Sequence, residues 1–243
     1  MTQQQPRPSL SIKIRSVLFF VLYNLAGIIH SVFCVLIGSF LPYRRRYNFV
    51  NLWTGFAMWL LQRLNGVHIR VEGRENLPAG PFVVLANHQS SFETFYMQLL
   101  IRPQATVLKR ELLWIPFFGW GLALLKPIRI DRSKGNAALK SVLHQGKQRL
   151  QEGIPVVIYP EGTRQPPGTL GKFNHGGSML ACQAGVPVVA ISHNSGDRWP
   201  ARSWLRLPGT ITLRISPVIT TDGKKAKTVT EEAENWIHQH YPQ

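Results

Sequence analysis

Pro81-Phe82-Val83-Val84-Leu85-Ala86-Asn87-His88-Gln89-Ser90-Ser91-Phe92-Glu93 is the stretch on which the reading turns. Its first half is a short apolar run bounded by proline, which reads as a buried strand. From Phe92 to Ile101 the spacing of Phe92, Phe95, Tyr96, Leu99 and Leu100 reads as a helix. Between them lies a polar turn carrying a histidine and, five positions on, a carboxylate. That separation does not fit one face of a regular helix. It suits a strand-to-helix turn with His88 at the mouth, Glu93 in the first helical turn, and Ser90 or Ser91 as the cap. A histidine so placed can accept a proton from a hydroxyl and return it. A carboxylate on its far ring nitrogen would fix the tautomer and stabilise the imidazolium. Taken alone, such a histidine is more often structural.

The pattern repeats outward from this turn. His68–Glu72 alternates as a strand, and Ala105–Leu108, Pro127–Ile130, Ile154–Tyr159, Val186–Ile191 and Thr210–Ile215 read as further short strands. Helices are expected from Ser133, as cap, to Leu150, over Gly176–Ala184, and over Thr228–His240. Strands alternating with helices predict an α/β fold with a mixed, largely parallel sheet flanked by helices.

A second polar block, Glu161-Gly162-Thr163-Arg164, begins 68 residues after Glu93 and again follows an apolar strand. Loops in that position commonly bind ligands in α/β sheets. Gly162 lets the backbone approach a ligand closely, and Arg164 offers a planar fork matched to phosphate oxygens. A surface turn with an internal Glu–Arg pair is the equally open alternative. Lys109, Arg110, Arg129 and Arg132 place more positive charge near two other strand ends, though each alone reads as a solvated side chain. Trp114–Leu122 is aromatic and punctuated by glycine. It is too short to span a bilayer, and either lines an acyl groove or lies in the interface, with core packing favoured for its aliphatic members. His193 and Asn194 end another strand, which would bring them toward the same site, and His175 follows the Glu161 block; with no further context all three default to ordinary core or surface residues.

The chain has 243 residues, enough to bury a full core, and a formal charge of +16 from 28 Lys and Arg against 12 Asp and Glu. This excess favours an anionic partner: nucleic acid, an anionic membrane surface or a phosphorylated substrate. The basic residues are scattered rather than clustered with interleaved aromatics, which argues against nucleic acid. Cys34 and Cys182 are not expected to form a disulfide, so the chain is read as facing a reducing compartment. No CxxC or Cys/His cluster points to a metal, and no Gly-x-Ser-x-Gly elbow supplies a serine nucleophile.

Residues 1–66 form a separate unit. Ser16–Leu41 is a 26-residue run without a charged side chain, roughly 39 Å as a helix against a hydrocarbon core of about 30 Å. Arg7, Lys13 and Arg15 precede it and Arg44, Arg45 and Arg46 follow it, so the positive-inside rule has little asymmetry to act on. Balanced charge suits a hairpin that dips into one leaflet and returns. Phe49–Leu64, with apolar residues mostly at helical spacing, would be the second arm. Trp53 and Trp59 would sit at headgroup level, or the helix packs on the domain that follows.

In this order the pieces resemble the 1-acyl-sn-glycerol-3-phosphate acyltransferase family, over about Val67 to Ile219. The resemblance rests on His88 to Glu93, Ile130-Asp131-Arg132, Glu161 to Arg164, and Val186-Pro187-Val188-Val189. It implies the glycerolipid acyltransferase fold for residues 67–243 and a membrane-associated helical segment for 1–66. His88 would be the general base on the free sn-2 hydroxyl of lysophosphatidic acid, oriented by Glu93. Glu161, Gly162, Thr163 and Arg164 would bind the glycerol phosphate, with help from Lys109 and Arg132. The hydroxyl would attack acyl-CoA or acyl carrier protein thioester directly, giving phosphatidic acid, without a cofactor, on the cytoplasmic face of a bacterial inner membrane. A lyso-aminolipid or glycerol 3-phosphate is the alternative acceptor. Two positions depart from the family pattern: Glu93 stands where an aspartate is usual, and Ala190 where a second proline is frequent.

Overall fold

A computed structural model describes residues 8–242; Arg7 falls outside them. Two long helices come first, α1 (Leu10–Leu36) and α2 (Tyr43–Asn65), joined by a 3-10 turn at Gly38–Phe40. The α/β body follows: β1 (Val67–Glu72), β2 (Val83–Ala86), α3 (Phe92–Leu100), β3 (Ala105–Lys109), α4 (Phe118–Ala123), β4 (Ile128–Ile130), α5 (Asn136–Gln151), β5 (Val156–Ile158), α6 (Gly176–Ala184), β6 (Val188–His193), the single turn α7 (Ser195–Arg198), β7 (Gly209–Ile215) and α8 (Ala226–Gln239). The seven strands form one sheet in the order β1-β7-β6-β2-β5-β3-β4. Every pairing is parallel except β6 with β7, so the expected mixed, largely parallel sheet is present.

Strand β2 is central. It pairs with β6 from Val83 against Val188 to Ala86 against Ile191, and with β5 from Val83 against Val156 to Leu85 against Ile158. All of these side chains are buried, as expected of a sheet covered on both faces. One face packs against α2 and α3 with Phe19 of α1, through Leu61, Phe92 and Met97. The other packs against α5, α6 and α8, through Val142, Leu180 and Ile237. The carboxyl ends of β2, β3, β5 and β6 therefore open at one edge, where ligands bind in such sheets. Ala190 explains the missing proline: its N–H donates to Ser216 Oγ at 2.9 Å, a bond a proline would lose.

Three sequence expectations shift. Helix α2 begins at Tyr43, six residues before Phe49, because the run Arg44-Arg45-Arg46 conceals its apolar period. Ser133 does not cap α5. It lies inside a 3-10 turn at Arg132–Lys134 that Asp131 caps through Ser133 N–H at 3.2 Å, and α5 starts only after Gly135 at φ +49°. Trp53 is not a headgroup anchor. It is half-buried between α1 and α2, donating Nε1–H to Tyr23 O at 2.8 Å and stacking on that ring at 5.6 Å. Gly27 faces it so closely that a Cβ there would stand 2.9 Å from Trp53 Nε1. Trp59, by contrast, is 52% exposed.

The polarity of α1 is inverted relative to a helix in water. Its buried positions are Ser16, Phe19, Ser31 and Cys34, while Val17, Phe20, Val21, Leu25, Ile29 and Phe33 face outward. Ser16 Oγ accepts from Arg206 N at 2.9 Å, and His30 Nε2 meets Phe49 O at 2.9 Å. The helix is long and apolar enough to cross a membrane, and α2 returns beside it as a hairpin. Both cysteines are free thiols.

Candidate active site

The turn after β2 is held by its own carboxylate. Glu93 Oε1 accepts from Gln89 N at 2.8 Å, Ser90 N at 2.7 Å and His88 Nδ1 at 2.8 Å. Ser90 Oγ accepts from Phe92 N at 2.9 Å, so Ser90, rather than Ser91, supplies the side-chain cap of α3. Glu93 is fully buried. Burial works against its charge, but the neighbouring His193 and His88 rings and the Ser195 hydroxyl outweigh that penalty and hold the carboxyl at about 2. An ionised carboxylate can only accept, so Nδ1 carries the ring hydrogen and Nε2 keeps its lone pair. The His88 ring lies at 4.4 Å from the Tyr159 ring, tilted by 23°, and borders a cavity of about 1760 Å³.

The same cavity is bordered by Glu161, Gly162, Thr163, Arg164 and Lys109, so the residues expected to bind substrate converge on His88. Glu161 does so in an unexpected way. Its Oε2 accepts from His88 N at 2.6 Å and its Oε1 from Gly171 N at 2.7 Å. It is thus committed to protein backbone, clamping the 161–164 loop to the His88 turn, and not to Arg164. Burial, with Glu93 and Glu234 nearby, pushes it up to about 7 against the pull of those two N–H donors. Gly162, at φ +72°, returns its N–H to Tyr159 O at 3.0 Å, a turn that favours glycine. Thr163 and Arg164 are exposed at the cavity.

The other cations separate. Lys109 is exposed at the end of β3 and faces the cavity. Arg110 is taken up by Asp131 at 2.9 Å and Glu111 at 3.4 Å. Arg129 pairs through its backbone with Gln145. Arg132 opens the turn before α5, and its side chain lies outside those described. His175 borders the cavity. The Trp114–Leu122 run divides: Phe117, Phe118, Gly121 and Leu122 border the cavity, whereas Trp114 and Trp120 are 68% and 45% exposed. Tyr23, Gly27 and Ser31 of α1 and Val50 of α2 border it too, so it runs from the polar turn to the helical hairpin. Among the described residues no group of three or more His, Cys, Asp or Glu side chains converges as a metal site.

Other buried residues brace the pair. Asn87 and His193 are stitched by three bonds: Asn87 Nδ2 to His193 O at 2.9 Å, His193 N to Asn87 Oδ1 at 2.9 Å, and His193 Nε2 to Asn87 O at 2.7 Å. Burial pushes His193 down, against the pull of the Glu93 carboxylate. Ser195 Oγ donates to Glu93 Oε2 at 2.7 Å. Gln89 is braced by Tyr241, whose hydroxyl it reaches at 2.8 Å. His193 and Asn194 stood at a strand end in the sequence; nothing there marked Ser195 or Tyr241.

A family model described as Acyltransferase matches residues 68–194, just over half of the chain. The chain is 45% identical over 230 residues to the 1-acyl-sn-glycerol-3-phosphate acyltransferase of Pseudomonas aeruginosa, covering 93% of this chain and 90% of that protein. It is 30% identical over 221 residues to the 1-acyl-sn-glycerol-3-phosphate acyltransferase of Saccharomyces cerevisiae, covering 86% of this chain and 68% of that protein. The fold is shared with the crystal structure of the 1-acyl-sn-glycerophosphate (LPA) acyltransferase from Thermotoga maritima, with a TM-score of 0.75 at 22% identity over 93% of this chain and 94% of that one. With its His88 turn inside the matched region and so similar a bacterial relative, the chain belongs to the 1-acyl-sn-glycerol-3-phosphate acyltransferase family.

Proposed function

We propose that the protein transfers an acyl chain from acyl-CoA or acyl carrier protein to the sn-2 hydroxyl of lysophosphatidic acid, forming phosphatidic acid. The observation that carries the reading is the 2.8 Å contact between His88 Nδ1 and Glu93, with the ring bordering the cavity that Arg164 also borders. Nε2 of His88 removes the hydroxyl proton as the oxygen attacks the thioester carbonyl, and Glu93 stabilises the imidazolium. The proton then passes to the departing thiolate, with no acyl-enzyme formed. Arg164 holds the acceptor phosphate, with Thr163 and the Gly162 backbone beside it, and Lys109 and Arg132 add positive charge at the rim. The apolar end of the cavity, between α1, α2 and α4, takes hydrocarbon.

The outward apolar face of α1 and the hairpin return of α2 support a membrane-embedded anchor. The free thiols fit a reducing compartment, and we place the site on the cytoplasmic face of a bacterial inner membrane. The test is a panel of acceptors (lysophosphatidic acid, a lyso-aminolipid, glycerol 3-phosphate) against both donors, with His88→Ala alongside. Wild type should form phosphatidic acid and His88→Ala should not. Product from another acceptor alone would overturn the substrate assignment, and near-normal turnover by His88→Ala would overturn the mechanism.

A further inference from the structure

We infer that Ser195 is a positioning residue for the His88–Glu93 pair, its hydroxyl locking the second oxygen of Glu93 and so setting where His88 points. The inference rests on His88 being the base of the proposed reaction. The two oxygens of Glu93 are served from opposite sides. Oε1 takes three donors from the turn at residues 88–90. Oε2 points the other way, across to the junction of β6 and α7, where Ser195 Oγ lies at 2.7 Å. Glu93 and Ser195 are both fully buried, so no bulk water stands in for the hydroxyl. A carboxylate turns readily about its last torsion. With only one oxygen held, its plane would be free to turn relative to the His88 ring.

The backbone of Ser195 already secures its own turn. Its N–H points to His193 Nδ1 at 3.4 Å and its carbonyl accepts from Trp199 N at 2.9 Å. The side chain adds nothing to that turn and is aimed back at Glu93. One carboxylate thus bridges the His88 turn and the end of β6. The groups facing the pair are Tyr159, Glu161 and Arg164 from the loop after β5, with Tyr159 stacked on His88, and His193 from β6. None of them bonds to Oε2.

The experiment measures kcat, both KM values and the pH profile of kcat/KM for full-length wild type, Ser195→Ala, Glu93→Gln and the double variant, with His88→Ala as reference. Ser195→Ala should lower kcat roughly ten- to hundredfold, the scale of a hydrogen bond to a buried charge, with both KM values within about twofold. A looser pair stabilises the imidazolium less, so the acid limb should move to lower pH. In the Glu93→Gln background the same change should cost little more, because its route of action is already gone. Wild-type kcat and limb in Ser195→Ala, or a fully additive loss in the double variant, would overturn the inference. So would a limb moved to higher pH, which would mean the hydroxyl merely draws charge from the carboxylate. If Ser195→Ala does not fold, Ser195→Cys decides on the same readouts: a partial loss with a smaller limb shift supports the inference, and wild-type values sink it. An active His88→Ala removes base and positioning residue together, whereas an inactive His88→Ala beside a normal Ser195→Ala removes Ser195 alone.

Discussion

Glu93→Gln isolates the charge of the His88–Glu93 pair from its geometry. Three donors converge on Oε1, and two are backbone N–H groups that cannot move away. The glutamine carbonyl should therefore take the Oε1 position. Its amide then faces Ser195 Oγ, which accepts as readily as it donates. Every polar atom keeps a partner, and His88 keeps its hydrogen on Nδ1. What disappears is the negative charge beside the imidazolium. Two unit charges about 4 Å apart at an effective dielectric near 20 interact by about 4 kcal/mol, which is about a thousandfold in rate. The expected result is a thousandfold fall in kcat with little change in either KM, followed by thiol release from acyl-CoA and by chromatography of the lipid product. The variant should still fold, with its midpoint of thermal unfolding above pH 6 lower by roughly 6–12 °C, the equivalent of losing about 3 kcal/mol. Turnover within tenfold of wild type in a folded variant would mean that Glu93 does not stabilise a charged His88, and the pair would lose its assigned role.

Arg164→Ala should raise KM for the phosphorylated acceptor about ten- to hundredfold while kcat changes little; an equal loss for an acceptor without phosphate would refute phosphate binding. The carboxyl of Glu93 is held at about 2, below its ordinary 4.5, so it contributes stability above pH 4.5 that is lost as pH falls toward 2, roughly 3 kcal/mol in all. Thermal unfolding followed against pH should show that acid-side loss in wild type and a flatter curve in Glu93→Gln; identical slopes would contradict it. Leu25→Arg with Ile29→Arg, both at outward positions of α1, should reduce liposome flotation, since each charge at bilayer depth costs about 3 kcal/mol, yet leave turnover of detergent-solubilised substrate. Unchanged flotation would refute burial of that face in lipid.

The sequence made the sheet legible because its strands are short apolar runs between turn residues, and Gly176–Ala184 matched α6 to the residue. Helix α4 escaped notice because Gly119 and Gly121 break its apolar period, yet both glycines are buried where the helix packs. The geometry of the His88 turn was legible because histidine, caps and carboxylate are all local. Ser195 was not, because it meets Glu93 across 102 residues of chain and serine is common at strand ends. Glu161 stood in a recognisable block, but its use differed from expectation. A carboxylate that accepts two backbone N–H groups looks, in sequence, the same as one aimed at a ligand.

The inward-facing serines and outward-facing aliphatics of α1 have a thermodynamic consequence. Against acyl chains, docking α1 onto the body releases no ordered water, so the hydrophobic effect contributes little there. Attachment then leans on directional bonds, Ser16 to Arg206 of the body and His30 to Phe49 and Tyr23 to Trp53 of α2, beside the close packing of Phe19 on Trp199. Such bonds do not weaken when water is withdrawn. Because Tyr23, Gly27 and Ser31 also wall the cavity, α1 forms part of the chamber that the His88 ring borders. Residues 67–243 alone would keep the His88 turn and lose one side of the chamber it opens into.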